Sequence, residues 1–243
     1  MACLAACSGG TSGYGHRGIV ASDDQVVTYQ GYSGTAIVST DGRTVTVGPF
    51  VPPCFGTTTA VAAQTATRVE LWLRDTVPAR HGVCQVMKAF ADSQQIRLQA
   101  PLGTRKLADG ATGRAVAWIS ARLVLRPAEM PAGYLLRSRT PDVDFSGPQS
   151  PGPAGCVQLY LDDTRTAEHM LYIEQSAGRL RVPAPGPRGW TAIRIRGQPG
   201  LATRNLITWR EHGLTDYIAV DGPQWPQVLS TGQLIAIADS APA

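Results

Sequence analysis

Stretches in which apolar and polar residues alternate recur along most of the chain, and this period of two predicts a protein built mainly of β-strands. In residues 66–74, for example, Val69, Leu71 and Leu73 occupy every second position and would share one face of a strand. Many short stretches of this kind, separated by turns rich in glycine and proline, predict a β-sandwich over residues 25–126.

Two Asp-Gly dipeptides indicate hairpin turns within this first domain. The dipeptide at residues 41–42 separates two alternating stretches, and the one at residues 109–110 opens a Gly-rich hairpin tip. Residues 121–126 alternate again and predict the last strand of the domain.

A Pro-containing break opens a second domain over residues 127–243. The closing part of this domain is predicted to be a strand, a turn at His212-Gly213, a second strand and a short helix. Ser230, followed by Gln233 three positions later, forms a capping box that marks the start of the helix. Apolar residues along one stripe of the helix indicate that it packs on a sheet. The chain is therefore predicted to be mainly β, with an α+β C-terminal part.

Composition and charge narrow the class of protein. Charged residues make up 16% of the chain and apolar residues 43%, a mixture that excludes an intrinsically disordered protein. The formal net charge is +4, and the 22 basic residues are scattered without a dense run, so no nucleic-acid partner is expected. No apolar run reaches the roughly 18 residues that a membrane-spanning helix needs.

The start of the chain, Leu-Ala-Ala-Cys at residues 4–7 followed by a Gly/Ser-rich stretch, resembles the lipobox of bacterial lipoproteins. The resemblance implies that Cys7 carries a diacylglyceryl group and becomes the mature N-terminus. Residues 1–24 would then be a truncated lipoprotein signal and a flexible tether. Neither a charged segment nor an apolar segment precedes the match, which departs from the family's pattern. If the match is a lipoprotein signal, the true start lies upstream of Met1; the alternative is a disordered leader that contains two stray cysteines.

The positions of the five cysteines predict one disulfide. Cys3 and Cys7 belong to the leader and Cys156 lies in the second domain, which leaves Cys54 and Cys84 as the expected pair. Closing such a loop stabilises a domain by about 3–4 kcal/mol in the chain-entropy model, and it requires an oxidising compartment. Whether Cys156 is buried or pairs outside the chain stays open.

Two further stretches resemble exported bacterial proteins. Residues 101–114, Pro-Leu-Gly-Thr-Arg-Lys-Leu-Ala-Asp-Gly-Ala-Thr-Gly-Arg, are similar to a pattern in secreted actinobacterial proteins, except that Thr104 stands where Asp is usual. Residues 130–240, with Trp209, Gly213 and a closing Leu-Ser-x-x-x-Leu-x-x-Ile-Ala-x-Ser pattern, resemble an extracytoplasmic domain of unknown function. That family occurs in bacterial lipoproteins and in anti-sigma-linked membrane proteins. The resemblance implies a curved antiparallel sheet with a C-terminal covering helix, and it supplies no catalytic residues.

No grouping of residues indicates a catalytic or metal site. The four histidines are far apart in the sequence, and the nucleophile-elbow, zinc-peptidase and P-loop motifs do not occur. We therefore expect no catalytic residue, no metal ligand and no cofactor. Trp72, on the polar side of its predicted strand, and Trp225, in a Pro-flanked loop, are candidates for an exposed binding surface. For both, packing against a neighbouring loop or domain is the alternative.

Together these patterns predict a secreted, non-catalytic lipoprotein on the extracytoplasmic side of the cell membrane, held there by lipid on Cys7. It would act as a structural or binding module whose protein or cell-envelope partner the sequence does not identify. Two alternatives stay open. One is a carrier that shelters an apolar ligand, such as a lipid, under the C-terminal sheet. The other is an enzyme whose site is assembled from dispersed residues.

Overall fold

The chain is mainly β, with several antiparallel sheets and a C-terminal helix, as the sequence predicts. The structure is a computed structural model that describes residues 16–21, 24–32, 34–48, 50, 53, 55–80, 93–141, 155–162, 170–177, 189–220 and 229–242. In chain order its strands and helix are β1 (His16–Ala21), β2 (Gln25–Gly31), β3 (Ala36–Val38), β4 (Thr44–Val47), β5 (Thr57–Gln64), β6 (Arg68–Pro78), β7 (Gln94–Arg97), β8 (Lys106–Asp109), β9 (Trp118–Ser120), β10 (Tyr134–Pro141), β11 (Gly155–Asp162), β12 (Met170–Ser176), β13 (Thr191–Ile195), β14 (Gln198–Ala202), β15 (Leu206–Glu211), β16 (Leu214–Val220) and α1 (Thr231–Asp239).

The described residues form two compact units. The first unit takes its residues from Met1–Ser33, Val51–Ala89 and Thr104–Ala115, and the second from Gly34–Phe50, Phe90–Gly103 and Val116–Ala243. The units do not follow the predicted ranges 25–126 and 127–243. The reason is that β3, β4, β7 and β9 form a sheet of their own and pair with none of β2, β5, β6 and β8, which lie between or beside them in sequence.

The first unit is a five-stranded sheet in which β1, β2, β6 and β5 are neighbours in that order and antiparallel. β6 is 11 residues long. Its second half pairs with β2, while its first half pairs in parallel with β8. Val69 and Leu71 are 0% and 1% exposed, so the predicted apolar face of this strand is confirmed at these positions.

The second unit contains two sheets. One is four-stranded in the order β7-β4-β3-β9, and the other is seven-stranded and antiparallel in the order β10-β11-β12-β16-β15-β14-β13. The predicted hairpin at residues 41–42 joins β3 to β4, with Gly42 at a φ of +69°. A small apolar cluster joins side chains of the two sheets and of the segment between them: Ile37, Ile119, Val124, Cys156 and Leu214.

Helix α1 begins where the sequence predicts. The Ser230 hydroxyl accepts the N–H of Gln233, and the Gln233 side chain accepts the N–H of Ser230 at 2.9 Å. This capping box satisfies two of the backbone N–H groups that a helix start leaves unpaired.

The main apolar core lies between α1 and one face of the seven-stranded sheet. Leu234, Ile237 and Ala238 form the buried stripe of the helix and pack with sheet residues such as Ile207 and Ile218. Full burial of one such aliphatic side chain contributes roughly 2 kcal/mol. This packing, more than local propensity, holds a helix of only nine residues in place.

Three local predictions are corrected by the structure. The tether predicted through residue 24 contains β1 (His16–Ala21). The strand predicted at residues 121–126 is instead a 3-10 helix, Ala121–Leu123, followed by an extended segment. β14 is missed by the sequence pattern because Pro199 and Gly200 disfavour strand structure.

Candidate functional site

A row of polar side chains crosses the helix-covered face of the seven-stranded sheet. Gln158 on β11, Gln175 on β12 and Asp216 on β16 are 0%, 2% and 2% exposed. The strand register sets Gln175 opposite Asp216 and Gln158 opposite Ile173. Because side chains alternate along a strand and paired residues share a face, all three point into the core beside Ile173 and Ile218. Buried polar groups are costly unless they are hydrogen-bonded, so this polar row is the candidate site.

The two glutamines hold the extended segment that follows the 3-10 helix. Gln175 Oε1 accepts the N–H of Leu125 at 2.5 Å, and Gln175 Nε2 donates to the carbonyl of Leu123 at 2.9 Å. Gln158 Nε2 donates to the carbonyl of Leu125 at 2.6 Å. Both backbone groups of Leu125 are therefore satisfied by side chains, which do for this segment what a neighbouring strand does in a sheet.

Asp216 is the titratable member of the polar row. Its Oδ1 accepts a hydrogen bond from Gln175 Nε2 at 2.8 Å. Burial raises the pKa of Asp216 to about 7. The hydrogen bond from Gln175 opposes this increase, the charge of Glu211 adds to it, and the charge of Arg196 opposes it. This carboxyl therefore changes its charge near neutral pH.

Arg196 lies beside this row and closes the C-terminal end of α1. Its Nε contacts Glu211 Oε2 at 2.7 Å, and the two side chains are 9% and 15% exposed. Its guanidinium also donates to the carbonyls of Ala238, at 3.1 Å, and Ala241. Its backbone N–H donates to Asp239 Oδ1 at 2.7 Å. One arginine thus pairs a largely buried carboxylate and ties the end of α1, and the residues that follow it, to the β13–β14 turn.

The chemistry open to the polar row is limited by its burial and by its own bonds. A carboxyl with a pKa near 7 suits a general base, but Asp216 is 2% exposed and a substrate atom does not reach it. Gln158 Oε1, on the other side of the row, accepts from Arg139 Nε at 3.0 Å and from Tyr160 OH at 3.3 Å. Among the described residues, no group of three or more His, Cys, Asp or Glu side chains is placed to hold a metal ion.

Most residues that the sequence analysis singled out lie outside the described residues: Cys7, Cys54, Cys84 and Trp225. Lipidation, the disulfide and the exposed loop tryptophan therefore stay predictions. Cys156 is described and is 0% exposed. Of the two alternatives for this cysteine, the structure shows the buried one.

Trp72 corrects the prediction of an exposed binding surface. The side chain is 6% exposed. The loop that follows β8 covers the indole, and a Cβ added to Gly110 would lie 2.0 Å from Trp72 Cε2. Only a glycine allows the loop backbone to approach the ring so closely. Trp72 is therefore a packing residue of the first unit. This agrees with the alternative hypothesis, that the side chain packs against a neighbouring loop.

The polar row escaped the sequence analysis although its signal is present. Gln158, Gln175 and Asp216 stand at core-facing positions of strands whose other core-facing residues are apolar or aromatic. A polar residue at a core-facing position indicates a buried hydrogen-bond partner. No local pattern indicates that Arg196, at a φ of +51° in the β13–β14 turn, reaches the end of α1.

Comparison with known proteins identifies no relative: no protein-family model, curated protein or solved structure matches the chain. Within the described part of the chain, no helix combines the length and the apolarity needed to cross a bilayer. Function is therefore inferred from the residues of this chain alone.

Proposed function

We propose that the chain is a non-catalytic lipoprotein on the extracytoplasmic side of the cell membrane, where it serves as a structural or binding module. A lipid on Cys7 anchors it, and the residues that follow Cys7 connect the anchor to the first unit. The proposal includes that residues 130–240 are related to the extracytoplasmic domain of unknown function that their sequence resembles.

One observation carries the non-catalytic part of the proposal. The polar side chains that converge in the core, Gln158, Gln175 and Asp216, bond to the protein's own groups and are at most 2% exposed. Catalytic groups have to reach a substrate, whereas buried groups bonded to backbone fix the position of a segment. The polar row supports a structural role.

The anchor is supported by residues 4–7, because small residues precede Cys7 and a Gly/Ser-rich stretch follows it. Thioether-linked diacylglycerol supplies two acyl chains, and two chains hold a protein on a bilayer stably where one is marginal. The predicted pair of Cys54 and Cys84 fits the same oxidising compartment.

The anchor is tested in the producing cell, with the natural upstream sequence in place, by comparing the native chain with Cys7→Ala and Cys3→Ala. The native chain and Cys3→Ala are expected in the membrane fraction and in the detergent phase after phase separation. Cys7→Ala is expected to lose both properties. Mass spectrometry of the N-terminal peptide should show the diacylglyceryl group on Cys7, and Cys3→Ala is the matched control.

Two results would contradict the anchor. One is a native chain that stays in the cytoplasm. The other is a Cys7→Ala variant that remains as firmly membrane-bound as the native chain.

The finer architecture is part of the proposal. We infer that the seven-stranded sheet is curved under α1, and the apolar core between α1 and the sheet supports the covering helix. The β-sandwich that the short strands and the Gly/Pro turns of residues 25–126 indicate stays a prediction.

The alternative, a carrier of an apolar ligand under the C-terminal sheet, needs space between α1 and the sheet. Leu234, Ile207 and Ile218 occupy that region and are each 0% exposed, so a ligand would have to displace the helix. Native mass spectrometry of the chain purified from the producing cell decides the matter. We expect the mass of the chain with its covalent lipid and nothing more, and an additional, non-covalently bound lipid would favour the carrier.

A further inference from the structure

Four basic residues gather in the first unit, where β6 and β8 begin. The parallel register pairs Arg68 with Lys106, and paired residues on strands about 4.8 Å apart point to the same face. Arg105 directly precedes Lys106, and Arg114 ends the loop that follows β8. We call Arg68, Arg105, Lys106 and Arg114 the basic patch.

The loop after β8 brings Arg114 toward Arg68. A Cβ added to Gly113 would lie 2.7 Å from a guanidinium nitrogen of Arg68, so the loop backbone rests against that side chain. Asp109 fixes the shape of the loop, because its Oδ1 accepts two loop N–H groups at 2.7 and 2.8 Å. The motif at residues 101–114 therefore contributes three members of the basic patch on a well-defined backbone.

The charge of the basic patch is only partly offset. Residues 68–71 and 104–115 contain the four basic residues of the patch and two acidic ones, Glu70 and Asp109. Glu70 pairs with Arg68 at 3.3 Å, while Asp109 is 3% exposed and bonded within its loop. Lys106 and Arg114 are exposed. Neighbouring like charges repel each other, and a bound anionic surface would relieve the repulsion.

We propose that the basic patch binds the anionic lipid headgroups of the membrane to which the chain is anchored; this inference rests on the proposed function. The patch spreads over two strands and a loop, with two exposed side chains, as suits an extended charged surface. Its chemistry is Lys/Arg attraction to phosphate, which strengthens binding to an anionic membrane roughly five-fold per residue.

The short tether between Cys7 and β1 allows the basic patch to bind the membrane even if its own affinity is low. From Cys7 to His16, where β1 begins, there are nine residue steps, which span at most roughly 30 Å. β1 belongs to the same sheet as β6 and β8. A first unit anchored at Cys7 is therefore kept close to the headgroups, and this high effective concentration compensates for a modest affinity.

The test uses the full chain carrying Cys7→Ala, which has no lipid, so that the patch is measured apart from the anchor. Its binding to vesicles of phosphatidylglycerol and phosphatidylcholine is compared with its binding to vesicles of phosphatidylcholine alone. We expect binding to the anionic vesicles only. Raising the ionic strength from about 0.1 M to about 1 M should abolish it, because the screening length falls from about 10 Å to about 3 Å.

A matched pair of variants locates the surface. Lys106→Gln/Arg114→Gln should weaken binding to the anionic vesicles roughly 25-fold, since two charges are removed. Arg74→Gln/Arg80→Gln is the control, because it removes the same charge from two exposed residues of the same unit. Arg74 lies six residues along β6 from Arg68, about 20 Å away, so the control should bind nearly as the parent does.

Three outcomes overturn the proposal: equal binding to neutral vesicles, an equal loss in both double variants, or equally tight binding to a single-stranded DNA oligomer. Thermal unfolding of the variants checks that they are folded. If a variant is not, amide hydrogen exchange of the parent chain decides: vesicles should slow exchange in residues 104–115, and no change there overturns the proposal. Failure here leaves the anchor at Cys7 intact, because fractionation of the native chain tests that separately.

Discussion

The helix-covered face of the seven-stranded sheet closes in two different ways along its strands. At one end the contact is apolar: Ile207, Ile218 and Leu234 are each 0% exposed and belong to one packed cluster. Toward the other end, Gln175 and Asp216 are as deeply buried, yet they meet residues 123–125 through hydrogen bonds.

The two kinds of contact differ in how strictly they fix the direction between the groups that meet. Apolar burial is non-directional, so the apolar end specifies that α1 covers the sheet without fixing each atom. Hydrogen bonds are directional, and a buried polar group that loses its partner costs roughly 1–3 kcal/mol. The polar end therefore specifies one position for residues 123–125.

The largest expected effect is a pH dependence that belongs to the polar end alone. Burial raises the pKa of Asp216 from 3.8 to about 7, so the folded state binds this proton more tightly than the unfolded state. The free energy of unfolding should therefore fall as pH rises from about 4 to about 7, by up to about 4 kcal/mol, and then level off. Urea unfolding across this range measures it.

Asp216→Asn is the control for this dependence, because the amide oxygen still accepts from Gln175 and carries no charge. The variant should lose most of the slope and be more stable than the native chain at alkaline pH. A variant with the native pH profile would show that another group titrates.

At the apolar end, Leu234→Ala should lower the free energy of unfolding by about 3 kcal/mol, because it leaves a cavity between α1 and the sheet. This loss should not depend on pH. Leu201→Ala is the control, since Leu201 is 42% exposed and its truncation should cost less than about 0.5 kcal/mol. Equal losses would mean that α1 does not seal this face.

At the polar end, Gln175→Ala should cost about 2 kcal/mol, because the N–H of Leu125 and the carbonyl of Leu123 lose a partner. Gln198, an exposed glutamine on β14, provides the control variant Gln198→Ala, which should be nearly neutral. Chemical denaturation compares them, and a neutral Gln175→Ala would remove the structural role of the polar row.

The smallest effect concerns the start of α1. Ser230→Ala should destabilise the second unit by about 1 kcal/mol because the N–H of Gln233 loses its cap. Ser230→Thr should restore most of this loss, since threonine also caps. A loss that threonine does not restore would mean that Ser230 acts otherwise.

Features with local causes were predictable from sequence, and features made by distant partners were not. The capping box at Ser230 and the turn at His212-Gly213 depend on residues that are close in the chain, and both were predicted correctly. The prediction that Trp72 is exposed is wrong because the loop of Gly110, more than 30 positions away in sequence, covers that face of the strand. A period of two gives the face of a strand but not what lies over that face.

The polar row illustrates the same limit. The strand patterns place Gln175 and Asp216 on the inward face, but their partner, residues 123–125, alternates like a strand, and its pattern predicts one. Only the register of the assembled sheet shows that side chains replace a neighbouring strand beside this segment. The sequence therefore predicts that these polar residues face inward, but it does not predict that they bind the same segment.

Amide hydrogen exchange at Leu125 tests the central claim most directly. In the native chain, the N–H of Leu125 should exchange as slowly as that of Ile218 in the sheet core, although residue 125 belongs to no strand. In Gln175→Ala, exchange at Leu125 should accelerate sharply while Ile218 stays protected. Fast exchange at Leu125 in the native chain, or equal acceleration at both residues in the variant, would contradict the account.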